Sequence, residues 1–96
     1  MSASDLTVTD DAESLRFTLR LNGEIVGHAD YSLDDGVVTI PHVETLQPYR
    51  GRGFAAVLMN GVIESLRNNG HTIRPTCSYA AEYLRERPDT HDLVAH

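Results

Sequence analysis

The amino-acid sequence predicts one α+β domain with the element order β-β-β-β-α-β-α. Three observations support this prediction. Apolar and polar residues alternate over most of residues 6–40, apolar residues recur at helical spacing over residues 54–66, and turns that contain glycine separate these segments. A chain of 96 residues with 41% hydrophobic content suits a single domain, which we assign to residues 1–96.

Two strands and a hairpin turn are predicted before residue 24. Residues 6–9 alternate, and residues 10–11 (Asp-Asp) interrupt them. Residues 14–21 alternate again, and the apolar face of this second strand is expected to carry Leu15, Phe17, Leu19 and Leu21. Asn22-Gly23 follows, which is the strongest short signal for a tight hairpin. An antiparallel meander is therefore expected to begin here.

The third strand is predicted from Glu24 to Leu33. Residues 34–36 (Asp-Asp-Gly) then turn the chain into a fourth strand that begins at Val37. The apolar face of the third strand is expected to carry Ile25, Gly27, Ala29, Tyr31 and Leu33.

The fourth strand contains a change of parity. Val38 and Ile40 share a face, but the next apolar residue is Val43, so the alternation shifts by one residue. Proline within a strand is confined to edges or bulges, and a bulge inserts the one residue that shifts the parity. The pattern therefore predicts either a bulge near Pro41-His42 or an ordinary edge strand.

The second half of the chain is predicted to contain two helices and a fifth strand. A long amphipathic helix ends at Asn69-Gly70, and its apolar face carries Phe54, Val57, Leu58, Gly61, Val62 and Leu66. Residues 71–77 predict a short strand, and residues 79–87 predict a short helix that ends before Pro88. Leu93-Val94 is expected to pack as a last irregular element.

The charge of the chain argues against a nucleic-acid partner. Fourteen acidic and eight basic residues give a net charge of −6, whereas binding to nucleic acid needs a basic surface that displaces counterions. No apolar run approaches the roughly 18–20 residues that span a bilayer, and the N-terminal segment lacks the basic and apolar regions of a signal peptide. We therefore expect a cytoplasmic protein without a membrane partner. A chain of this size buries only roughly 60–65% of its surface, so we expect a monomer or a weak homodimer.

Cysteine and histidine usage indicates no metal site. The single cysteine, Cys77, excludes an internal disulfide and a cysteine-rich zinc site. Four histidines lack the i, i+4 spacing of metal ligands, and surface or turn positions are expected for them: His28, His71, His91 and His96.

Residues 50–53 (Arg-Gly-Arg-Gly) stand immediately before the long helix. Glycines at a helix N-terminus expose backbone N–H groups, and the helix dipole adds partial positive charge. This combination predicts a phosphate site. A Walker A loop would need Lys and then Ser or Thr where Phe54-Ala55 stands. The match of residues 51–56 to G-x-G-x-x-A lacks the parallel βαβ unit of a dinucleotide-binding fold.

Arg50–Ala55 resembles the R/Q-x-x-G-x-G/A loop of the GNAT superfamily of N-acetyltransferases, which binds the pyrophosphate of acetyl-CoA. From Val37 to Arg87 the order of a bulged strand, a long helix, a strand and a short helix is similar to that superfamily. The resemblance covers residues 15–95 and is strongest to a minimal single-domain subfamily. That subfamily shares Tyr49–Gly53, Pro75-Thr76-Cys77 and the tail Arg87-Pro88-Asp89 with Asp92-Leu93-Val94.

Three departures from the family pattern concern the acceptor side and two positions near the thioester. The usual helices between the first two strands are missing, because Leu21-Asn22-Gly23 turns directly into the next strand. Cys77 stands where the family usually has Asn, and Leu84 stands where the family often has a tyrosine, with Tyr83 one residue earlier. Because the helices that form part of the acceptor site are missing, the acceptor side is expected to be open.

The resemblance also implies which residues bind acetyl-CoA. The backbone of Val43–Thr45 is expected to hydrogen-bond the pantetheine arm, and the N–H groups of the loop are expected to receive the pyrophosphate. The full set is Val43, Glu44, Thr45, Tyr49, Arg50, Gly51, Arg52, Gly53, Phe54 and Ala55. Arg85 and Arg87 could reach the adenosine phosphate or could be solvated helix charges.

Acyl transfer to an amine needs a base, an oxyanion donor and an acid for the leaving thiolate. Glu44 and His42 are candidate bases, although polar strand residues are more often simply exposed. Cys77 is a candidate nucleophile that accepts the acetyl group, or a small packing residue. Tyr83 is a candidate acid, or packs together with Tyr79.

The resulting hypothesis is an N-acetyltransferase that uses acetyl-CoA, with no metal, to acetylate a small amine or the amine of a protein or peptide. Cys77 could carry the acetyl group in this reaction. The alternative is a non-catalytic module with the same fold that binds CoA or a protein partner. The missing acceptor wall and the displaced tyrosine favour this alternative.

Overall fold

Five strands and two helices make up the part of the chain that the computed structural model describes, residues 5–95. The strands are β1 (Leu6–Asp11), β2 (Arg16–Leu21), β3 (Glu24–Asp34), β4 (Val37–Thr45) and β5 (Thr72–Pro75). The helices are α1 (Phe54–Asn69) and α2 (Ser78–Arg85), with 3₁₀ turns at Gln47–Tyr49 and Pro88–Leu93. The expectations about the segment before residue 5 and about His96 lie outside the described residues.

The strands form one sheet in the order β1-β2-β3-β4-β5. The first four strands pair antiparallel with their neighbours, and β5 pairs parallel with β4. A parallel pair needs a crossover connection, which α1 supplies. The predicted α+β class and element order are confirmed.

The core lies between one face of the sheet and the helices. The sheet contributes Phe17, Leu19, Ala29, Val38 and Ile40, each at most 2% exposed, and the helices contribute Leu58, Met59, Val62, Ile63, Leu66, Ala80, Tyr83 and Leu84. Each fully buried Leu, Ile or Phe stabilises the fold by about 1.5–3 kcal/mol. The opposite face of the sheet, called the outer face below, carries polar residues at the alternate positions: Arg16, Thr18, His28, Asp30, His42 and Glu44.

The bulge expected in the fourth strand is present. Asp30 pairs with His42 and Ser32 pairs with Thr39, so Tyr31 alone opposes the two residues 40–41 of β4. One extra residue in β4 shifts its parity and lets Ile40 and Val43 both contact the core. The alternative of a regular edge strand is thereby excluded.

A second bulge lies near the start of β3, and there the prediction of which residues face the core is wrong. Leu19 pairs with Gly27 and Arg20 pairs with Ile25, so Val26 is an extra residue. The parity shift turns Val26 into the core, where it is fully buried, and leaves Ile25 46% exposed.

Three further expectations are corrected near strand ends. Leu15 is not on the apolar face of β2, because it occupies a turn with φ of 54° and is 42% exposed. Leu33 lies near the end of β3 and is 45% exposed. Asp10 and Asp11 do not interrupt the first strand, since both pair with β2.

The C-terminal segment packs against the domain, as expected from Leu93-Val94. Leu93 is 6% exposed, and Val94 forms a parallel bridge with Ile73 of β5. Arg67 near the end of α1 donates hydrogen bonds to the carboxylate of Asp92 and, over 2.7 Å, to the carbonyl oxygen of Asp89. These contacts tie the end of α1 to the tail.

Candidate functional site

The sheet opens between β4 and β5. Pairing between these strands covers only residues 37–40 of β4. The amides of Thr76 and Cys77 both donate to the carbonyl oxygen of Ile40, and the chain then leaves the sheet as α2. Residues 42–45 of β4 pair with β3 on one side and with no strand of the described chain on the other. A gap therefore separates the end of β4 from the start of α2.

The glycine loop joins the end of β4 to α1. Gly51 and Gly53 have φ angles of 83° and 78°, which side chains other than glycine adopt only with strain. No atom lies within 4 Å of the position that a Cβ would take at either glycine, so the space before the loop is open. Glycine is therefore required here by the backbone conformation rather than by crowding.

The N-terminus of α1 fits an anionic group. Gly53 is the N-cap, so no side chain caps the first turn, and that turn contains no acidic residue. The first N–H groups of a helix have no acceptor within the helix and carry partial positive charge. A pyrophosphate could accept hydrogen bonds from these groups, as the sequence predicts.

Arg50 links the loop to the end of β4. Its Nε donates a hydrogen bond of 2.9 Å to the carbonyl oxygen of Thr45, and its Nη2 lies 3.9 Å from Oε2 of Glu44. Glu44 Oε1 lies 3.1 Å from Nε2 of His42. These residues and Val43 line an open groove of about 360 Å³. Five of the residues predicted for the site thus lie together.

Aromatic contacts support the loop. The rings of Tyr49 and Phe54 have centroids 6.2 Å apart, and the guanidinium of Arg52 lies 5.9 Å from the centre of the Tyr49 ring. The hydroxyl of Tyr49 lies 3.4 Å from Oε1 of Glu24. Tyr49 therefore contacts both ends of the glycine loop and the start of β3.

Cys77 lies at the start of α2 as its N-cap residue. Its side chain is half-buried and packs against the core, and it is a free thiol. The two interpretations of Cys77, a nucleophile at the gap and a packing residue, both fit this position.

Tyr83 is more deeply buried than expected for an acid that reaches a bound thioester. It is 6% exposed, and the guanidinium of Arg87 lies 3.6 Å from its ring centre. Arg87 also donates to the carbonyl oxygen of Tyr83, and Arg85 pairs with Glu82. Tyr79 is 40% exposed, and burial of its hydroxyl raises its pKa. Both arginines therefore have partners within α2 and its flank.

The outer face contains a polar network that the sequence analysis did not identify. Arg16 Nε donates to Oδ1 of Asp30 over 2.6 Å, and this hydrogen bond lowers the pKa of Asp30 and raises that of Arg16. Thr18 donates to Oδ2 of Asp11 over 3.0 Å. His28 lies within β3, not at a turn as expected, and its Nδ1 is buried without a partner among the described residues. In the sequence, the alternation of polar residues 16, 18 and 20 with apolar neighbours was the signal that could have indicated a polar face here.

Within residues 5–95, no group of three or more His, Cys, Asp or Glu side chains is placed to hold a metal ion. None of the helices described is long and apolar enough to cross a membrane.

A sheet that opens beside a bulged strand, next to a glycine loop that starts a long helix, defines the class of GNAT-like acyltransferase folds. A family model for GCN5-related N-acetyl-transferase matches residues 16–93. The chain therefore belongs to the GCN5-related N-acetyltransferase family, and the family resemblance drawn from the sequence is confirmed.

The relatives are distant in sequence. Protein NATD1 of Gallus gallus is 29% identical in an alignment that covers 86% of this chain and 77% of that protein. A GCN5-like putative N-acetyltransferase from Staphylococcus aureus has a TM-score of 0.69 at 21% identity, over 99% of this chain and 91% of that one. A GNAT family acetyltransferase from Brucella melitensis, solved in complex with acetyl-CoA, has a TM-score of 0.55 at 20% identity, over 67% and 47%. At these low identities, the likeness to the solved structures shows that this chain shares their fold.

Proposed function

We propose that this domain binds acetyl-CoA and transfers its acetyl group to an amine. The observation that carries the proposal is the start of α1, where Gly51 and Gly53 adopt left-handed conformations and no side chain caps the helix. Membership of the acetyltransferase family and the acetyl-CoA bound in the Brucella melitensis structure support it.

The residues that would hold acetyl-CoA lie in two adjoining places. The N–H groups of Gly53 through Ala55 would bind the pyrophosphate, with Arg50 and Arg52 adding positive charge. The side chain of Arg50 is 61% exposed, so it can turn from Glu44 toward a phosphate at low cost. The backbone of Val43–Thr45, which has a strand partner on one side only, would hydrogen-bond the pantetheine arm. Acetyl-CoA supplies the acetyl group in activated form, as a thioester.

The proton of the amine would pass to the pair of His42 and Glu44. Their side chains are 3.1 Å apart and partly exposed, so an amine or a water can reach either. Either group could take the proton of the amine, directly or through a water. A direct transfer would then need an acid for the leaving thiolate, for which Tyr83 is the candidate.

A second route would use Cys77. Its thiolate would attack the acetyl carbon, and CoA would leave as its thiolate. The amine would then attack the acetyl carbon of the Cys77 thioester, release the thiolate of Cys77 and give up its proton to His42 or Glu44. This route is supported by the position of Cys77 beside Ile40 at the gap. It needs no acid at Tyr83, which is buried under Arg87.

Calorimetric titration with CoA tests the binding part of the proposal, and release of free thiol from acetyl-CoA tests the transfer. The acceptor panel should contain alkylamines, polyamines, amino acids and peptides with free N-termini. We expect saturable CoA binding and thiol release that depends on the amine. Absence of CoA binding at millimolar concentration would refute the proposal.

A non-catalytic module that binds CoA is the second candidate function. Two observations favour it. No helix among residues 5–95 covers the outer face as an acceptor wall, and Tyr83, the candidate acid, is buried. CoA binding without acetylation of any amine in the panel would support this candidate over the enzyme. The cytoplasmic location and the state of monomer or weak homodimer stay predictions.

A further inference from the structure

A cavity of about 210 Å³ lies between the sheet and the C-terminal end of α1. The glycine loop precedes the first turn of the same helix, and a helix of 16 residues is about 24 Å long. None of the residues predicted for the acetyl-CoA site lines this cavity. The cavity is therefore separate from the candidate active site.

Apolar side chains form the inner wall of the cavity. Phe17, Tyr31, Val38 and Leu66 line it, and each is at most 8% exposed. The rings of Phe17 and Tyr31 pack with their centroids 4.7 Å apart. An apolar cavity of about 150 Å³ is large enough to hold benzene. This cavity therefore has room for one small ring with a short substituent.

A carboxylate without a cationic partner lies at the rim. Asp10 lines the cavity and is exposed. Its Oδ1 accepts a hydrogen bond from Tyr31, its Oδ2 accepts none from residues 5–95, and no arginine or histidine of these residues forms an ion pair with it. His71 also lines the cavity, and its neutral imidazole offers a further acceptor.

The surroundings of the cavity do not offset this negative charge. Arg16 and Arg20 of β2 donate to partners on the outer face, and Arg67 of α1 is bound to the C-terminal segment. The last carbonyl groups of a helix carry partial negative charge, and Asn69, the last residue of α1, lines the cavity. The carboxylate and the helix end both favour a cation.

We propose that this cavity binds a small ammonium ligand that carries one aromatic or cyclic group, such as an arylalkylamine. The ring packs against Phe17 and Tyr31, and the ammonium group pairs with Asp10. The aromatic wall attracts a cation that lies within about 6 Å of a ring centre. This is a second binding site, and it does not depend on the proposed acetyl transfer.

The first test uses ¹⁵N–¹H correlation spectra of the full chain without CoA, at about pH 7.5, where histidine side chains are ordinarily neutral and benzylamine is an ammonium. Benzyl alcohol has the same ring and nearly the same size, but no charge. Benzylamine is expected to shift the amides of Asn69, Gly70 and His71 and to bind roughly tenfold more tightly than benzyl alcohol. Equal affinities, no shifts, or shifts confined to residues 42–45 would overturn the proposal.

The second test compares two aspartate variants. Asp10→Asn is expected to weaken benzylamine binding roughly tenfold and to leave benzyl alcohol binding unchanged, because the amide keeps an acceptor for Tyr31 and loses the charge. Asp11→Asn is the matched control, since Asp11 is the next residue of β1 and accepts a hydrogen bond from Thr18 on the outer face. Equal losses in the two variants would contradict a specific site. If Asp10→Asn does not fold, the comparison of the two ligands in the unmodified chain still decides.

The third test separates the cavity from the other binding surfaces of the domain. Methylamine has the charge but no ring, and it is expected to bind at least roughly tenfold more weakly than benzylamine; equal affinity would overturn the role of the aromatic wall. Saturation with CoA is expected to leave the affinity for benzylamine unchanged, because the cavity and the glycine loop lie at opposite ends of α1. Displacement of benzylamine by CoA would place it at the gap and overturn the proposal. If CoA does not bind, the acetyltransferase proposal fails, and the spectra without CoA still test the cavity.

Discussion

The backbone amide of Cys77 donates a hydrogen bond of 3.1 Å to the carbonyl oxygen of Ile40. Ile40 is one of the two bulge residues of β4 that oppose Tyr31. The hydroxyl and the amide of Thr76 donate to the same oxygen, over 3.3 and 3.2 Å. Three donors on one carbonyl oxygen fix the start of α2 against the bulge, so the backbone of Cys77 has a defined place at the gap.

Replacement of Cys77 tests the route through a thioester on the chain. We expect Cys77→Ala to bind CoA with unchanged affinity and to lose roughly a hundredfold or more in turnover, since the nucleophile is removed. Cys77→Ser is the matched variant of nearly equal size, and its weaker nucleophile is expected to give a similar loss. Undiminished turnover in Cys77→Ala would exclude the route. Mass spectrometry after acid quench should find an acetyl group on Cys77 in the unmodified chain.

Gly53→Ala tests the pyrophosphate site. The backbone of Gly53 has φ of 78°, so alanine costs about 1–2 kcal/mol of stability, and its Cβ enters the open space before α1. We expect CoA affinity to fall roughly tenfold by calorimetry. Gly36→Ala is the control, because Gly36 has φ of 79° in the turn between β3 and β4 and also has no atom within 4 Å of a new Cβ. It should lose similar stability and keep its CoA affinity; a parallel loss of affinity would show that the loop has no special role.

Gly61→Ala is expected to destabilise the domain, although alanine normally stabilises a helix interior by about 1 kcal/mol relative to glycine. A Cβ at position 61 would lie 2.5 Å from Cβ of Val8, which is too close for the packing of α1 on β1. We expect a net loss of about 1–3 kcal/mol in urea unfolding. The double variant Gly61→Ala, Val8→Gly, which removes Cβ of Val8, should recover part of this loss, and strict additivity of the two changes would contradict the contact.

The stability of the domain is expected to fall at alkaline pH because of Tyr31. Burial of the hydroxyl and its 2.5 Å hydrogen bond to Asp10 raise the pKa of Tyr31 to about 12. The unfolded chain releases this proton near pH 10, so the contribution of Tyr31 is complete below about pH 10 and is lost between about pH 10 and 12. All eight basic residues are arginine, so no lysine titrates in this window.

Unfolding free energies measured across that window provide the check. Tyr31→Phe should be less stable at neutral pH, because Asp10 loses its donor, and should show a smaller fall between pH 10 and 12. An equal fall in both proteins would contradict the assignment to Tyr31.

The two bulges show which irregularities of the sheet can be predicted from the sequence: the bulge in β4 can, and the bulge in β3 cannot. In β4 the apolar residues Val38, Ile40 and Val43 are separated by polar residues and a proline, so only one parity shift satisfies them. In β3 the neighbours Ile25 and Val26 are both apolar, so either residue satisfies the core and the alternation does not show which one turns inward. The shift at Val26 therefore depends on pairing with β2, which local pattern does not contain.

The candidate site was also predictable only in part: the sequence indicates the glycine loop, but not the contacts between elements around it. Two glycines before an apolar helix indicate the loop because their conformational freedom is a local property. The contact of Arg50 with Thr45 depends on the direction in which the 3₁₀ turn at Gln47–Tyr49 returns the chain. The exposure of Ile25 depends on the bulge at Val26, which is set by pairing with β2. Both are relations between elements, and side-chain spacing along the chain does not encode them.

The C-terminal segment covers one edge of the sheet. The bridge of Val94 with Ile73 and the 2.8 Å hydrogen bond from the amide of Ala95 to Ile73 use backbone groups of β5 that could otherwise pair with a strand of another chain. Within residues 5–95, β1 is an open edge strand on the far side of the sheet from the gap, and residues 42–45 of β4 are also unpaired on one side, at the gap itself. Strand addition by a second copy at β1 would meet the charges of Asp10 and Asp11 and would leave the entrance between β4 and α2 accessible.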